Sequence, residues 1–507
     1  MQYNLAERIL MSVSDHDNEH QILFNNQFLK GDFICEQTGR FAGGFHTAGI
    51  LPEQRVLLLL KDSPTFIYSF LALLKIGAIP VPLNPKTEPE TLAYILDDSR
   101  AAAIIIDDAE QERLKTVFRQ AIFIAPDKIF RESQLNDTAF LSSRPTFFYR
   151  KKPNSIAFWQ YTSGTSGRPK AVQHSQDTML INTKLFATDT LGIHQHDRIY
   201  SVPKMFFGYG LGNSFFFPLL TGASVLIDGQ WPDPASVAAN IIHYKPSVFF
   251  GVPKMYAALL HSPTPELTAA LKEVRLFFSA GSPLPAALYE KWKAYTRHPI
   301  LDGIGCTEVG HVFLTNKPGS HGAGNTGNVV EGYDLQLNYS HSEPKEKQVA
   351  GELCVKTPYP LAGYWEDPVR NNAKFRDGWY HTGDLFSKAD NGTYVYHGRK
   401  DELFKSNGRW VNPSAFESRL LSSVSGIEEC MLLDLPDEES LIAMLLLVVG
   451  KEDTKSAVTS YIKSNVESHC RPRDIAYLPE LPRNANGKIS RTVLRSQYQQ
   501  YFQHKKN

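Results

Sequence analysis

Uninterrupted apolar runs of strand length recur through the first 280 residues, and they restrict what this chain can fold into. Residues 55–61 (RVLLLLK), 78–83 and 102–106 are the first three. A strand covered on both faces has no polar face to alternate with, so its sequence is continuously hydrophobic. Residues 63–77 separate the first two and read as a helix, with Ser63 as N-cap, Pro64 at the first helical position and Gly77 at the end. Strand–helix–strand spacing requires crossover connections, hence a largely parallel sheet with helices on its faces. The same texture returns at 224–228, 247–252 and 274–280.

A chain of 507 residues exceeds one compact core. Beyond Asp334 the strands become shorter and more polar, as at 351–357 and 393–397, which reads as a smaller β-rich subdomain. Another α/β pattern runs from Asn412 to the end, with 441–449 as its most buried strand. The expected architecture is therefore α/β: an N-terminal domain, residues 1–400, and a small mobile α+β C-terminal domain, residues 401–507, parted near Arg399-Lys400-Asp401.

Lys+Arg and Asp+Glu both total 53, so there is no cationic field for nucleic acid or an anionic membrane. The Arg150-Lys151-Lys152 cluster and the Lys505-Lys506 tail read as solvated surface. Cys35, Cys306, Cys354, Cys430 and Cys470 are sparse and form no CxxC pair, which fits a reducing cytoplasm better than a disulfide framework. No cationic start followed by an apolar stretch suggests a secretory signal. Residues 205–227 carry no charge and are long enough to cross a bilayer. Gly208, Gly210, Gly212, Asn213, Pro218 and Gly222 are expected to interrupt a continuous helix there, so the segment reads as a buried pocket wall.

The chemistry begins at YTSGTSGRPK, 161–170. Gly164 and Gly167 have no Cβ to keep backbone N–H groups from closing on phosphate oxygens. Thr162, Ser163, Thr165 and Ser166 add hydroxyl donors, and Lys170 adds a positive charge. The string is not a Walker A loop, because Arg168-Pro169 separate the last glycine from the lysine. Four more strings follow in order: GIGCTE at 303–308, YHTGD at 380–384, GRKDELFKSNGRWVNP at 398–413 and LPRNANGKISR at 481–491. In content and order they resemble the adenylate-forming enzymes, a family that includes acyl-CoA synthetases, carrier-protein adenylation domains and firefly luciferase. The resemblance spans nearly the whole chain.

It implies ATP, Mg2+ and, as thiol co-substrate, CoA. Thr307 would lie near the α-phosphate, with Glu308 as the metal ligand. Asp384 and Arg399 would hold the ribose. Adenine would lie between Gly281-Ser282-Pro283 and Ile304, with Asp302 completing the nucleotide set. Lys488 would bridge the acid carboxylate and the α-phosphate in the transition state. Asn484 stands where relatives usually have Thr, a departure in a supporting loop. Asp401 matches the hinge between two orientations of the small domain. In the second, Gly408 would come to the active site and let a pantetheine arm pass; it also reads as half of an Asn407-Gly408 hairpin turn.

The acid pocket is expected along FFGYGLGN (206–213), SAGSPLP (279–285) and GIGCTEVGHVFLTN (303–316), which look most like the benzoate–CoA ligase branch. Phe207, Gly208, Tyr209, Ala280, Gly305, His311 and Val312 would make a flat apolar slot for a planar ring. His311 either faces the ring or its substituent, or is a satisfied core histidine. Arg409, Arg471 and Arg473 either serve CoA or are solvated. A carrier protein or an amine in place of CoA, and a non-catalytic nucleotide-binding relative, stay open as alternatives, as do monomer and homodimer. GAGNTG at 322–327 satisfies a dinucleotide pattern but lacks a preceding strand and a following helix.

Overall fold

The computed structural model describes residues 2–15, 21–107, 114, 122–125, 147–163, 168–339, 350–406, 408–437, 442–482 and 491–502. Its first sheet is wholly parallel, in the order Ile79–Pro82, Arg55–Leu59, Ala103–Ile106, Phe123–Ile124. The crossover helix is Pro64–Lys75, and the Ser63 hydroxyl accepts from the Phe66 N–H at 3.2 Å. Gly77 follows with φ +82°, and a Cβ there would stand 2.3 Å from the Tyr149 ring, so only glycine serves.

A nine-stranded sheet carries the candidates Asp302, Ile304, Gly305 and Val312 on its strands. Its order is Asn328–Val329, Val312–Thr315, Ile300–Gly305, Leu276–Ser279, Val248–Gly251, Arg198–Ser201, Ser224–Leu226, Ile22–Phe24, Gln27–Leu29. Pairing is parallel from Ile300–Gly305 to Ile22–Phe24 and antiparallel at both edges. Successive residues serve opposite faces. Phe250 and Phe278 join a core with Phe186 and Phe217, while Phe249 and Phe277 join another with Tyr256 and Trp292. Both faces are covered, which is why these strands read as unbroken apolar runs.

The uncharged segment departs from expectation. Gly208–Leu211, Gly212–Phe216 and Phe217–Thr221 run on as one helical stretch, its middle part π-helical. Its glycines permit close approach rather than breaking the helix. A Cβ on Gly210 would stand 2.1 Å from the Lys204 carbonyl oxygen, and one on Gly212 2.3 Å from the His311 ring. Among the described residues no helix is long and apolar enough to cross a membrane. Lys151 is a second departure. It is buried rather than solvated; its Nζ donates to the Ile156 carbonyl at 3.0 Å and pairs with Glu53 at 2.9 Å.

The later strands form a separate antiparallel sheet, Asp334–Asn338, Gly351–Lys356 and Trp379–Lys388, the last also pairing with Phe375–Arg376 and Tyr394–Arg399. One turn, Lys400–Glu402, leads on to the hairpin Phe404–Ser406/Arg409–Val411. Beyond it lies a three-stranded sheet, Ile427–Pro436, Ile442–Gly450 and Asp474–Leu478, with the nearly all-apolar Ile442–Gly450 at its centre. Helices Pro413–Ser423 and Lys455–Asn465 pack on one face. Arg491 reaches Glu417 at 3.0 Å in the interior, a pair costly to break from one side. All five cysteines are free.

Candidate active site

Strands Ile156–Ser163 and Pro169–Ser175 make an antiparallel hairpin that sets Thr162 opposite Lys170 and Ser163 opposite Pro169. Gly164, Thr165, Ser166 and Gly167 lie outside the described residues, as do Lys488 and Asn484. Lys170 is half-buried. Burial lowers its pKa and nearby Arg370 adds to this, while the Glu308 carboxylate opposes both.

Glu308 sits in the turn Thr307–Val309, just past strand Ile300–Gly305. Its Oε1 accepts from the buried Tyr364 hydroxyl at 2.7 Å. Tyr364 belongs to a segment that lies along the hairpin as a further strand. Val172 pairs with Tyr364, Gln173 N–H donates to the Gly363 carbonyl at 3.0 Å, and Trp365 N–H to that of Ala171 at 2.9 Å. The same turn is held from below. Tyr359 donates to the Val309 carbonyl, Asn182 Nδ2 donates to the Tyr359 hydroxyl at 2.7 Å, and Tyr333 donates to Asn182 Oδ1 at 2.7 Å. Burial raises the pKa of all three tyrosines, so they stay neutral donors. Sequence reasoning missed Tyr333, Tyr359, Tyr364 and Asn182, and no local pattern marks them.

Asp384 and Arg399 are direct cross-strand neighbours, NH1 to Oδ1 at 3.3 Å. Burial pushes the Asp384 carboxyl up to about 6, with Arg399 opposing. Burial alone would lower Arg399, yet Asp384 and Asp401 together raise it and keep it charged. Arg399 also grips Asp401, Nε to Oδ1 at 3.1 Å and NH2 to Oδ2 at 3.4 Å, so ribose candidate and hinge candidate share one guanidinium. Asp302 pairs with Ser279 in the sheet. It is buried, its Oδ1 has no hydrogen-bond partner, and burial raises its pKa strongly. Gly281, Ser282 and Pro283 are exposed beyond Ser279, and Ile304 is half-buried in the adjoining strand. A planar base between them would meet apolar surface on one side and open backbone on the other.

Of the acid-pocket candidates, Tyr209, Gly305 and the adjoining Val312 meet around His311. Its ring centroid lies 4.6 Å from Phe217, 5.2 Å from Phe186 and 5.8 Å from Tyr209. Burial drops its pKa to about 3, so the ring is neutral. Nε2 stands 3.4 Å from the Tyr209 carbonyl oxygen, and Nδ1 is buried without a partner. The Tyr209 hydroxyl donates to the Phe278 carbonyl at 3.2 Å. Gly305 faces Val312 at a register shift, and a Cβ there would strike the His311 carbonyl oxygen at 2.5 Å. Ala280 and Val312 are buried, and Gly208 packs within reach of Gln160 Oε1. Phe207 is half-buried against Phe206. Gly408 stands apart, exposed in its hairpin with φ +76° and open space around it.

Among the described residues no cluster of three or more His, Cys, Asp or Glu could cage a metal. Glu308 and Thr307 offer a carboxylate and a hydroxyl, the oxygen donors that a hard cation such as Mg2+ takes together with phosphate oxygens and water.

The family described as AMP-binding enzyme matches residues 34–365, and the AMP-binding enzyme C-terminal domain matches 417–488. An anthranilate–CoA ligase of Pseudomonas aeruginosa is 38% identical over 463 residues, 88% of this chain and 87% of the relative. A benzoate–CoA ligase of Thauera aromatica is 32% identical over 464 residues, 89% and 87%. Among solved structures, the anthranilate CoA ligase AuaEII in complex with anthranoyl-AMP superposes with TM-score 0.86 at 28% identity, covering 98% of this chain and 97% of that one. A benzoate CoA ligase from Burkholderia xenovorans LB400 gives TM-score 0.86 at 30% identity, covering 97% and 100%. The motif order, the two-part fold and these likenesses agree: the chain belongs to the AMP-binding enzyme family, in its benzoate–CoA ligase branch, and is an enzyme of the AMP-forming acid–thiol ligase type.

Proposed function

We propose that the protein activates a benzoate-like acid with ATP and transfers the aroyl group to the thiol of CoA. A carboxylate oxygen attacks the α-phosphorus, the α–β phosphoanhydride bond breaks, and pyrophosphate leaves. The thiol sulfur then attacks the acyl carbon, loses its proton, and AMP departs. Pyrophosphate and AMP are thus released in separate steps.

One observation carries this reading. A single stretch, Ile300–Gly305 and the turn and strand that follow, bears the nucleotide candidates Asp302 and Ile304, the acid candidates Gly305, His311 and Val312, and Thr307-Glu308 between them. Acid and phosphate are thereby held at a fixed offset, which is what positioning catalysis requires. We assign Thr162, Ser163, Gly164, Thr165, Ser166, Gly167 and Lys170 to the phosphates, Asp384 and Arg399 to the ribose, and Gly281, Ser282, Pro283 and Ile304 to adenine. Mg2+, held by Glu308 with Thr307, would neutralise phosphate charge. Lys488 supplies positive charge to the attacking carboxylate and the α-phosphate. Asp401 is the hinge of a domain pair divided at residues 400 and 401, and Gly408 acts in the second half-reaction. We expect the reaction to run in the cytoplasm.

The test is a panel of substituted benzoates and aliphatic acids with MgATP, with and without CoA. Acyl-adenylate and aroyl-CoA are followed by mass spectrometry. Aromatic acids alone should yield both. If no acid yields an acyl nucleotide, the reading fails.

A further inference from the structure

All six tryptophans are among the described residues, and Trp410 is the one counted among the exposed large apolar side chains, at 54%. Its place in the hairpin explains why it stays in water. Phe404 and Val411 point into the small domain's core. Lys405 and Trp410 face each other across the ladder, and both are exposed. The Lys405 ammonium stands 4.9 Å from the Trp410 ring centroid, and Arg409, also exposed, adjoins it. A cation against an indole, with a second cation beside it, complements a flat ring that carries negative charge. A base can stack on the indole, and its phosphates can be met by the two side chains.

Two nucleotides enter the proposed reaction. ATP has its own candidates in Asp384, Arg399 and the phosphate hairpin. The remaining one is the 3′-phospho-ADP end of CoA, and the other cations first considered for it are engaged elsewhere. Arg471 donates to the Val466 and Lys463 carbonyls at 2.8 and 2.9 Å, closing a helix end. Arg473 pairs with Asp437 at 3.4 Å and lies over Phe502. We propose that Lys405, Arg409 and Trp410 form the docking platform for the adenine and phosphates of CoA. Gly408, two residues before Trp410, has open space around it, so an extended arm can run past the tip toward the acyl group. The inference rests on the acid–thiol ligase reading and adds a choice of acceptor, since a carrier protein's pantetheine arm has no nucleotide to stack.

The experiment uses the full chain with one accepted acid and compares CoA, dephospho-CoA and pantetheine as acceptors. Acid-dependent pyrophosphate exchange is measured alongside. Trp410→Ala should raise KM for CoA by about tenfold or more, the effect of losing one base stack. Its exchange rate and its KM for pantetheine should stay unchanged, and Trp410→Phe should recover most of the loss. Lys405→Gln and Arg409→Gln should narrow the preference for CoA over dephospho-CoA. The proposal is overturned if Trp410→Ala shifts CoA and pantetheine equally, if it lowers exchange, or if wild-type protein uses a pantetheinylated carrier protein better than CoA. Wild-type protein without exchange for any acid would instead sink the ligase reading itself.

Discussion

The two walls of the proposed site differ in their electrostatics: charged groups meet on one, and none stands among the candidates of the other. On the nucleotide side, burial lowers the pKa of Lys170 and raises that of Asp384, with the Glu308 and Arg399 charges opposing these shifts, and burial would lower Arg399 but Asp384 and Asp401 raise it. On the acid side, His311 is stripped of charge by burial and packed among Phe186, Tyr209 and Phe217. In the proposed function the first wall meets a polyanion and has to keep its ions, while the second meets a ring, where an ion would cost more in desolvation than it returns. The difference teaches that each wall fails in its own way: the charged one through lost rate, the neutral one through lost selectivity.

The largest test of this contrast is Lys488→Ala. It should lower acid-dependent pyrophosphate exchange by about 10²–10³ or more while thiolysis of supplied acyl-adenylate survives, and Gly408→Leu should do the reverse. Loss of the first half-reaction in both variants would break the two-orientation account. Next, His311→Phe should change the ranking of substituted benzoates by roughly tenfold or more while KM for ATP stays put, because only the neutral wall is altered. A shift in ATP affinity would break the separation of the walls. Tyr364→Phe removes one hydrogen bond from the Glu308 carboxylate and should lower exchange about tenfold. It should also weaken binding of Mn2+–ATP, read by electron paramagnetic resonance, with acid ranking untouched.

The smallest effect is on pH. With the Asp384 carboxyl near 6, ATP affinity should fall as pH drops through that value, to about half its plateau at the midpoint. Stability moves the other way. A carboxyl whose folded pKa exceeds its unfolded value binds its proton more tightly when folded, so its contribution grows as pH falls from about 6 toward 4. Asp384→Asn should flatten both profiles; unchanged profiles would assign the titration elsewhere.

Much of the fold was legible because burial on both faces leaves a one-dimensional trace. Strands Arg55–Leu59, Val248–Gly251 and Leu276–Ser279 fall inside the apolar runs that announce them, and the Ser63 cap stands where its oxygen was expected. The misreadings share another cause. In sequence the glycines of helix Gly208–Leu211 and its continuation read as breaks, but they answer to the Lys204 carbonyl and the His311 ring. Lys151 reads as solvated because its partners Tyr3, Glu53 and Ile156 are not its sequence neighbours. The clasp on the Thr307–Val309 turn was illegible for the same reason: Tyr364 is 56 positions from Glu308, and Asn182 is 177 from Tyr359. Motif order pointed to the reactive groups, while the residues that aim them are tertiary neighbours.

Gly305 and Glu308 lie three positions apart on one continuous piece of backbone, just past the register shift between Ile304 and Gly305 against Val312–Thr315. Any enlargement of the slot made at that floor therefore tilts the carboxylate as well, so a change of diet would cost turnover. In the proposed site the opposite side is bound in the same way: a Cβ on Gly208 would stand 3.2 Å from Gln160 Oε1 on the phosphate hairpin and 3.6 Å from the Gly310 carbonyl oxygen, so a bulkier residue there presses on both.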